Sequence, residues 1–221
     1  MKVIVFGATG MIGQGVMMEC VDSPDVESIL AVGRAPSGVS HAKVRDLVRK
    51  DLFDYAGCEA ELAGYDACFF CLGVSSAGMS EADYTRVTYE LTMAAARALV
   101  KISPEMTFIY VSGASTDSTE KGSSMWARVK GRTENALLAL GFRRAFMFRP
   151  GYIQPMRGIK SRTTSYRVLY AVMSPLYPVW KAVLPKIVTT TEKVGRAMLK
   201  VAKDGYEKRI LEVVDINAAA G

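Results

Sequence analysis

Three glycines, Gly7, Gly10 and Gly13, punctuate the stretch VIVFGATGMIGQG with the spacing G-x-x-G-x-x-G, after a strand-like run and at the start of a helix-like one. In that context the pattern suits a pyrophosphate. Gly7 permits the tight turn, Gly10 lets the backbone approach the phosphates, and Gly13 lets the helix lie close against the strand. The N–H groups and positive dipole end of the helix then face the anion. The chemistry on offer is the binding of a nicotinamide dinucleotide.

The second apolar run ends LAVGRAPSG. NAD binders carry an acid about 20 residues past the loop, bonded to the ribose 2′-hydroxyl. Gly33 and Arg34 occupy that place here. A carboxylate would repel a 2′-phosphate, whereas a guanidinium can fork onto one. NADP is therefore expected over NAD, with Ser37 adding a hydroxyl. Asp51 and Leu52, in KDLFD, are offered to the adenine ring.

Other chemistries find little support. His41, the single histidine, lies in a polar loop, which argues against histidine metal sites and histidine-centred triads. Cys68 and Cys71 form a C-x-x-C inside the apolar run DACFFCLG. On a strand, residues three apart face opposite sides, so the two thiols neither bridge nor share a metal. With Cys20 and Cys58 they read as free thiols in a reducing compartment. From Asn135 to Thr191 there is no acid but nine Arg or Lys residues, among them Arg143, Arg144, Arg149, Arg157, Arg167 and Lys186. Either this region favours anions or its charges are scattered over a solvated surface. Despite a pI near 9.1, no nucleic-acid motif is present, and nucleic acid is not an expected partner.

The elements that must position these residues alternate. KVIVF, ESILAVG, a run within HAKVRDLVRKDL, YDACFFCLG, MTFIYVSG and RRAFMFRPG read as strands, with KRILEVVDI as a last one. MIGQGVMMECV, SEADYTRVTYELTMAAARALVKI with Ser80 as N-cap, SMWARVKGRTENALLAL and TTEKVGRAMLKVAK read as helices. Such alternation predicts a Rossmann-type α/β fold, a doubly wound parallel sheet with helices on both faces. Residues 1–221 are expected to form a single domain, with 151–190 a proline-rich cap over the strand ends. Within the cap, residues 166–186 are apolar and aromatic. They suit ordinary core, a roof over a greasy, acidic substrate, or contact with an anionic membrane surface. The opening MKVIVFGATG lacks the features of a secretory signal, and no apolar run reaches the roughly 20 residues of a membrane span; a cytoplasmic protein is expected.

The chain resembles an atypical short-chain dehydrogenase/reductase, of the Tat-interacting-protein-like and bacterial NAD-dependent epimerase/dehydratase type. GATGMIG, the GR at 33–34, CLGVSSAG, VSGAS, VKGRTE and FRPG carry the resemblance. It implies that Gly7, Thr9, Gly10, Met11 and Ile12 line the pyrophosphate. It implies Arg34 at the adenosine phosphate and Cys71, Leu72 and Gly73 beside the adenosine and ribose. Ser112 or Ser115 would take the catalytic serine's place and Lys130 would bond the nicotinamide ribose. Pro150, Gly151, Tyr152 and Ile153 would pass near the nicotinamide.

One position departs from the family. The tyrosine of its Y-x-x-x-K motif falls on Trp126. A phenol near a lysine cation can exchange a proton, whereas an indole N–H can only donate a hydrogen bond. No other tyrosine lies within ten residues of Lys130. Two readings stand. The protein is an oxidoreductase on a carbonyl or hydroxyl substrate with another acid, Tyr152 first, then Tyr84 and Tyr166. Alternatively it binds NADP(H) without chemistry, as a redox sensor or assembly factor.

Overall fold

The computed structural model describes residues 1–159, 177, 180, 183, 184 and 186–221 of the 221-residue chain. The elements begin with β1 (Lys2–Phe6), α1 (Met11–Asp22), β2 (Ser28–Gly33), β3 (Val44–Val48), α2 (Glu59–Leu62) and β4 (Ala67–Phe70). They continue with α3 (Glu81–Thr85), a π-helical turn (Arg86–Glu90), α4 (Leu91–Ile102), β5 (Thr107–Val111), α5 (Met125–Leu138) and β6 (Arg144–Arg149). After β7 (Tyr152–Gln154) and β8 (Val188–Thr190) come α6 (Thr191–Asp204), β9 (Ile210–Glu212) and α7 (Val213–Ala219).

Seven strands form one sheet in the order β3-β2-β1-β4-β5-β6-β9, and every pairing in it is parallel. The chain winds outward from β1 through β2 and β3, then returns to lay β4 on the other side of β1. Val5 lies between Ala31 and Phe69 in this register. The reversal opens a crevice above β1 and β4, where doubly wound sheets bind ligands. β7 and β8 make a separate parallel pair.

Both faces of the sheet are covered, which is why its central strands read as continuous apolar runs. Alternation sends Val3, Val5, Phe69 and Ile109 into one core with Val16 and Met17 of α1 and Val194, Met198 and Val201 of α6. Ile4, Phe6, Phe70 and Phe108 enter the other, against Met93, Ala96 and Leu99 of α4. There Phe6, Phe70, Phe108 and Phe142 stack in sequence, with centroids 5.0, 5.9 and 5.0 Å apart. On the first face α6 lies tight on α1. A Cβ on Gly15 would fall 2.6 Å from the Thr191 Cβ, and one on Gly195 would fall 2.7 Å from the Glu19 Cγ.

Two elements differ from the sequence expectation. The long helix after Ser80, which caps it through Asp83 N–H at 3.1 Å, is interrupted by the π-helical turn. Near it the Thr92 hydroxyl donates to the Thr88 carbonyl at 2.6 Å. KRILEVVDI is strand only over Ile210–Glu212, because Glu212 and Asp215 form a reciprocal capping box that starts α7. The four cysteines are free thiols, and Cys71 falls just past the end of β4. Among the described residues no helix is long and apolar enough to cross a membrane. Tyr166, Arg167 and most of the apolar 166–186 segment lie outside the described residues.

Among the described residues, four cations of the basic region are already engaged. Arg143 pairs with Glu105, Arg149 with Glu134 and Glu212, and Arg157 with Asp22, Glu192 and Glu19, while Arg144 donates to the Ala202 carbonyl. Acids from other parts of the sequence fold against Arg143, Arg149 and Arg157, so at these three positions the charge is balanced in space.

Candidate active site

A cavity of about 720 Å³ opens along the C-terminal ends of β1, β2, β4 and β5. Its floor is the loop from Gly7 to Ile12. Gly7 has φ +78°, and a Cβ there would lie 2.8 Å from the Leu72 amide nitrogen, so neither the turn nor its neighbour admits a side chain. A Cβ on Gly13 would meet the Gly7 carbonyl oxygen at 2.0 Å, which locks α1 against the loop. Gly10 has ordinary φ and only one near neighbour, Gly7 O at 3.3 Å; its bareness faces the cavity. As N-cap of α1 it supplies no side chain to the first-turn N–H groups. A cradle that side chains would fill, under an uncapped helix end, fits a dinucleotide pyrophosphate.

One end of the cavity is walled by Gly33, Arg34, Ser37 and Leu52, the other by Ser112, Lys130, Pro150, Gly151 and Ile153, with Cys71, Leu72 and Gly73 between them. Thr9 and Met11 join the floor. Arg34 is exposed at the rim just past β2. The Ser37 amide, beside it, donates to Asp46 Oδ1 at 2.9 Å. Burial pushes the Cys71 thiol up to about 12, which leaves it protonated and unreactive near neutrality.

Besides Gly13, which supports the loop from behind, four residues expected at the site do not line the cavity. Asp51 is turned to its own loop, its Oδ1 accepting from Phe53 N–H at 2.8 Å, while its neighbour Leu52 lines the wall. Tyr152 sits on β7 beside Ile153, and successive strand residues face opposite ways. Ile153 faces the cavity, so Tyr152 shares the far face with Gln154, its hydroxyl donating to Gln154 Oε1 at 2.9 Å. Ser115 is exposed, with φ +66°, whereas Ser112 is 5% exposed and lines the wall. Tyr84 is buried below the surface, away from this lining.

Ser112 and Lys130 are held by a network that sequence reading did not assign. The Ser112 hydroxyl approaches Glu134 Oε1 and, at 3.1 Å, the Phe148 carbonyl; its one proton serves one acceptor at a time. Glu134 is wholly buried, and Arg149 forks onto it through Nε and Nη2. Arg149 also reaches Glu212 and the Ser118 hydroxyl. Lys130 donates to the Ser112 carbonyl. Burial lowers its ammonium to about 8, against the opposing pull of the Glu134 carboxylate. Glu134 lies one helical turn after Lys130 in VKGRTE, and that i, i+4 spacing was the available signal. Trp126, one turn before Lys130, is half-buried on the first turn of α5 and does not line the cavity.

The sequence model of the NAD dependent epimerase/dehydratase family matches residues 3–123, more than half of the chain. Protein FMP52-1, mitochondrial, of Scheffersomyces stipitis is 29% identical over 155 residues, covering 69% of this chain and 67% of its own length. Protein fmp52, mitochondrial, of Emericella nidulans is 29% identical over 163 residues, covering 71% and 68%. These names overturn the expectation of a cytoplasmic protein. Among solved structures, MoeE5 in complex with UDP-glucose and NAD superposes with a TM-score of 0.68 at 16% identity, over all of this chain and 81% of that one. The Bordetella bronchiseptica enzyme WbmF in complex with NAD+ gives 0.66 at 14% identity, over 98% and 76%. At such identities the likeness is one of fold.

Proposed function

Because the chain belongs to the NAD-dependent epimerase/dehydratase family, a group of NAD(P)-binding proteins, we propose that its cavity holds NADP(H) and that it is an oxidoreductase acting on a small carbonyl or hydroxyl compound. The observation that carries this reading is the cavity's layout. A bare glycine floor lies under the helix end, a guanidinium stands at one rim, and a lysine and serine stand at the other.

Gly7, Thr9, Gly10, Met11, Ile12 and Gly13 form or support the pyrophosphate cradle. Arg34 meets the 2′-phosphate, and Leu52, Cys71, Leu72 and Gly73 flank the adenosine half. Pro150, Gly151 and Ile153 border the nicotinamide half. The bound dinucleotide supplies or accepts hydride; the protein orients substrate and moves a proton. Gly33 in the place of an acid and the exposed Arg34 support NADP over NAD, although the Asp46 carboxylate beside Ser37 opposes it. Residues 1–221 act as one domain.

Calorimetric titration with NADPH, NADP+, NADH and NAD+ tests the reading. Heat is expected with all four and tightest binding with the phosphorylated pair. No heat with any of them removes the proposal. A binding-only protein, a redox sensor or assembly factor, is the second reading, favoured by Trp126 where the family has tyrosine and by the engaged Ser112 hydroxyl. NADPH held without oxidation by a panel of aldehydes, ketones and quinones would select it.

A further inference from the structure

Resting on that reading of the cavity, we propose that the Lys130 ammonium is itself the proton donor to the substrate oxygen in reduction, and its neutral amine the acceptor in oxidation. Elimination within the described lining supports this. The Arg34 guanidinium does not give up its proton in a protein. The Cys71 thiol is held protonated by burial. The aliphatic hydroxyls of Thr9, Ser37 and Ser75 are weak acids, and Ser37, beside Asp46, stands at the Arg34 end of the cavity, away from Ser112 and Lys130. The Ser112 proton is directed to Glu134 or to the Phe148 carbonyl. Tyr152 lies on the far face of β7, and an indole at Trp126 has no proton to exchange.

Lys130 is built to do what these cannot. Its Nζ lies at the cavity wall, 4.0 Å from where a Cβ on Gly113 would stand. One hydrogen goes to the Ser112 carbonyl, which leaves two for other acceptors. The groups facing it are Glu134 on its own helix, Ser112 at the end of β5 and, behind Glu134, Arg149 of β6. Glu134 is forked by Arg149 and forms no ion pair with Lys130. The ammonium is therefore desolvated without a bonded counter-ion, and its proton becomes labile close to neutral pH. The arginine satisfies the glutamate and so leaves the lysine available.

The balance is simple. As hydride reaches the carbonyl carbon, the C=O π pair takes a proton from Lys130 Nζ, giving the alcohol and a neutral amine. The amine regains its proton from solvent. The dinucleotide is the species oxidised and the carbonyl the one reduced.

Four measurements on the full chain test this. In protein labelled with carbon-13 at lysine Cε, the resonance absent from Lys130→Arg should titrate near 8, against about 10.4 for ordinary lysines. NADPH oxidation by phenanthrenequinone or nitrobenzaldehyde should fall as pH rises through that midpoint. Lys130→Arg should hold NADPH within about threefold yet lose about 10²-fold or more in turnover. Lys130→Ala should regain part of the loss when primary amines are added, in proportion to their acidity. A Lys130 midpoint at the ordinary value, turnover surviving Lys130→Arg, or NADPH bound but oxidised by neither probe would each overturn the proposal while the dinucleotide reading stands. Absence of NADPH binding would overturn both.

Discussion

The Arg149 guanidinium lies along the Glu134 carboxylate, Nη2 to Oε2 at 2.5 Å and Nε to Oε1 at 3.0 Å, with Glu134 fully buried and Arg149 11% exposed. This pair bolts α5 to β6, the two elements that carry Lys130 and lead to Pro150. It fixes the end of the cavity that Ser112 and Lys130 line. A buried pair is strongly destabilised when one partner is removed, because the other is left charged without compensation.

Glu134→Ala should therefore cost about 3–5 kcal/mol in urea unfolding. Replacing both residues together, Glu134→Leu with Arg149→Met, should cost less than the sum of the single changes. Equal or additive losses would show that the pair is not energetically coupled.

The floor of the cavity makes a separate prediction. Gly13→Ala places a methyl 2.0 Å from the Gly7 carbonyl oxygen, closer than any packing allows. Either α1 retreats or the loop shifts, and both spoil the cradle. Dinucleotide affinity should drop at least tenfold by calorimetry, with a stability loss of about 1–3 kcal/mol. Unchanged affinity would mean the loop is not the pyrophosphate site.

Arg34→Ala should weaken NADPH about tenfold and leave NADH nearly unchanged, since only the 2′-phosphate distinguishes the two. The exposure of Arg34 keeps the effect near the low end of a charged hydrogen bond, about 1.5 kcal/mol. Asp46→Asn should act in the opposite sense by removing a carboxylate from the same rim. Equal losses for both cofactors on Arg34→Ala would place the guanidinium elsewhere.

Lys130 also links stability to pH. Its folded-state ammonium is lowered to about 8, while the unfolded chain keeps the ordinary value near 10.4. Between these values the unfolded state binds more protons, so stability gains from rising pH. The cost of burying the charge is fully present below about pH 8 and is relieved above it. Relative to Lys130→Met, wild type should gain on the order of 1 kcal/mol between about pH 8 and 10. A flat difference across that window would show that burial does not depress this lysine.

Much of this cavity is legible in the sequence. The glycine spacing announced the turn and the close helix, because both demand a missing Cβ. The continuous apolar runs announced a sheet covered on both faces, because parallel strands bury both sides. What failed to show in the sequence depended on orientation or on distance along the chain. Tyr152 and Ile153 are neighbours, and only the strand's phase decides which one faces the cavity. Asp51 and Leu52 divide as well, but in the loop after β3, where Asp51 turns to its own backbone. Arg149 finds Glu134 and Glu212 across the fold, so a stretch without acids gave no hint that this arginine is already paired. The π-helical turn at Arg86–Glu90 lacks a proline or glycine to mark it. The strand KRILEVVDI ended early because a reciprocal cap at Glu212 and Asp215 outweighed β-branched propensity.

Trp126→Tyr offers the sharpest comparison between the two functional readings. The substitution restores a phenol one helical turn before Lys130, where residues four apart share a face. Loss of half-buried indole surface should cost about 1 kcal/mol or less, well within what the fold tolerates. The Lys130 cation would stabilise the phenolate and lower the tyrosine from its usual value near 10. Trp126 lies outside the cavity lining, so the new phenol becomes a second donor only by reaching along α5 to the Lys130 ammonium. Turnover of a probe carbonyl should then rise up to about tenfold and persist in part when Lys130→Arg is added. Steady-state NADPH oxidation by parent, single and double variants measures it. A variant that binds NADPH as tightly as the parent yet gains no turnover would show that this end of the cavity does not hold a carbonyl within reach of α5.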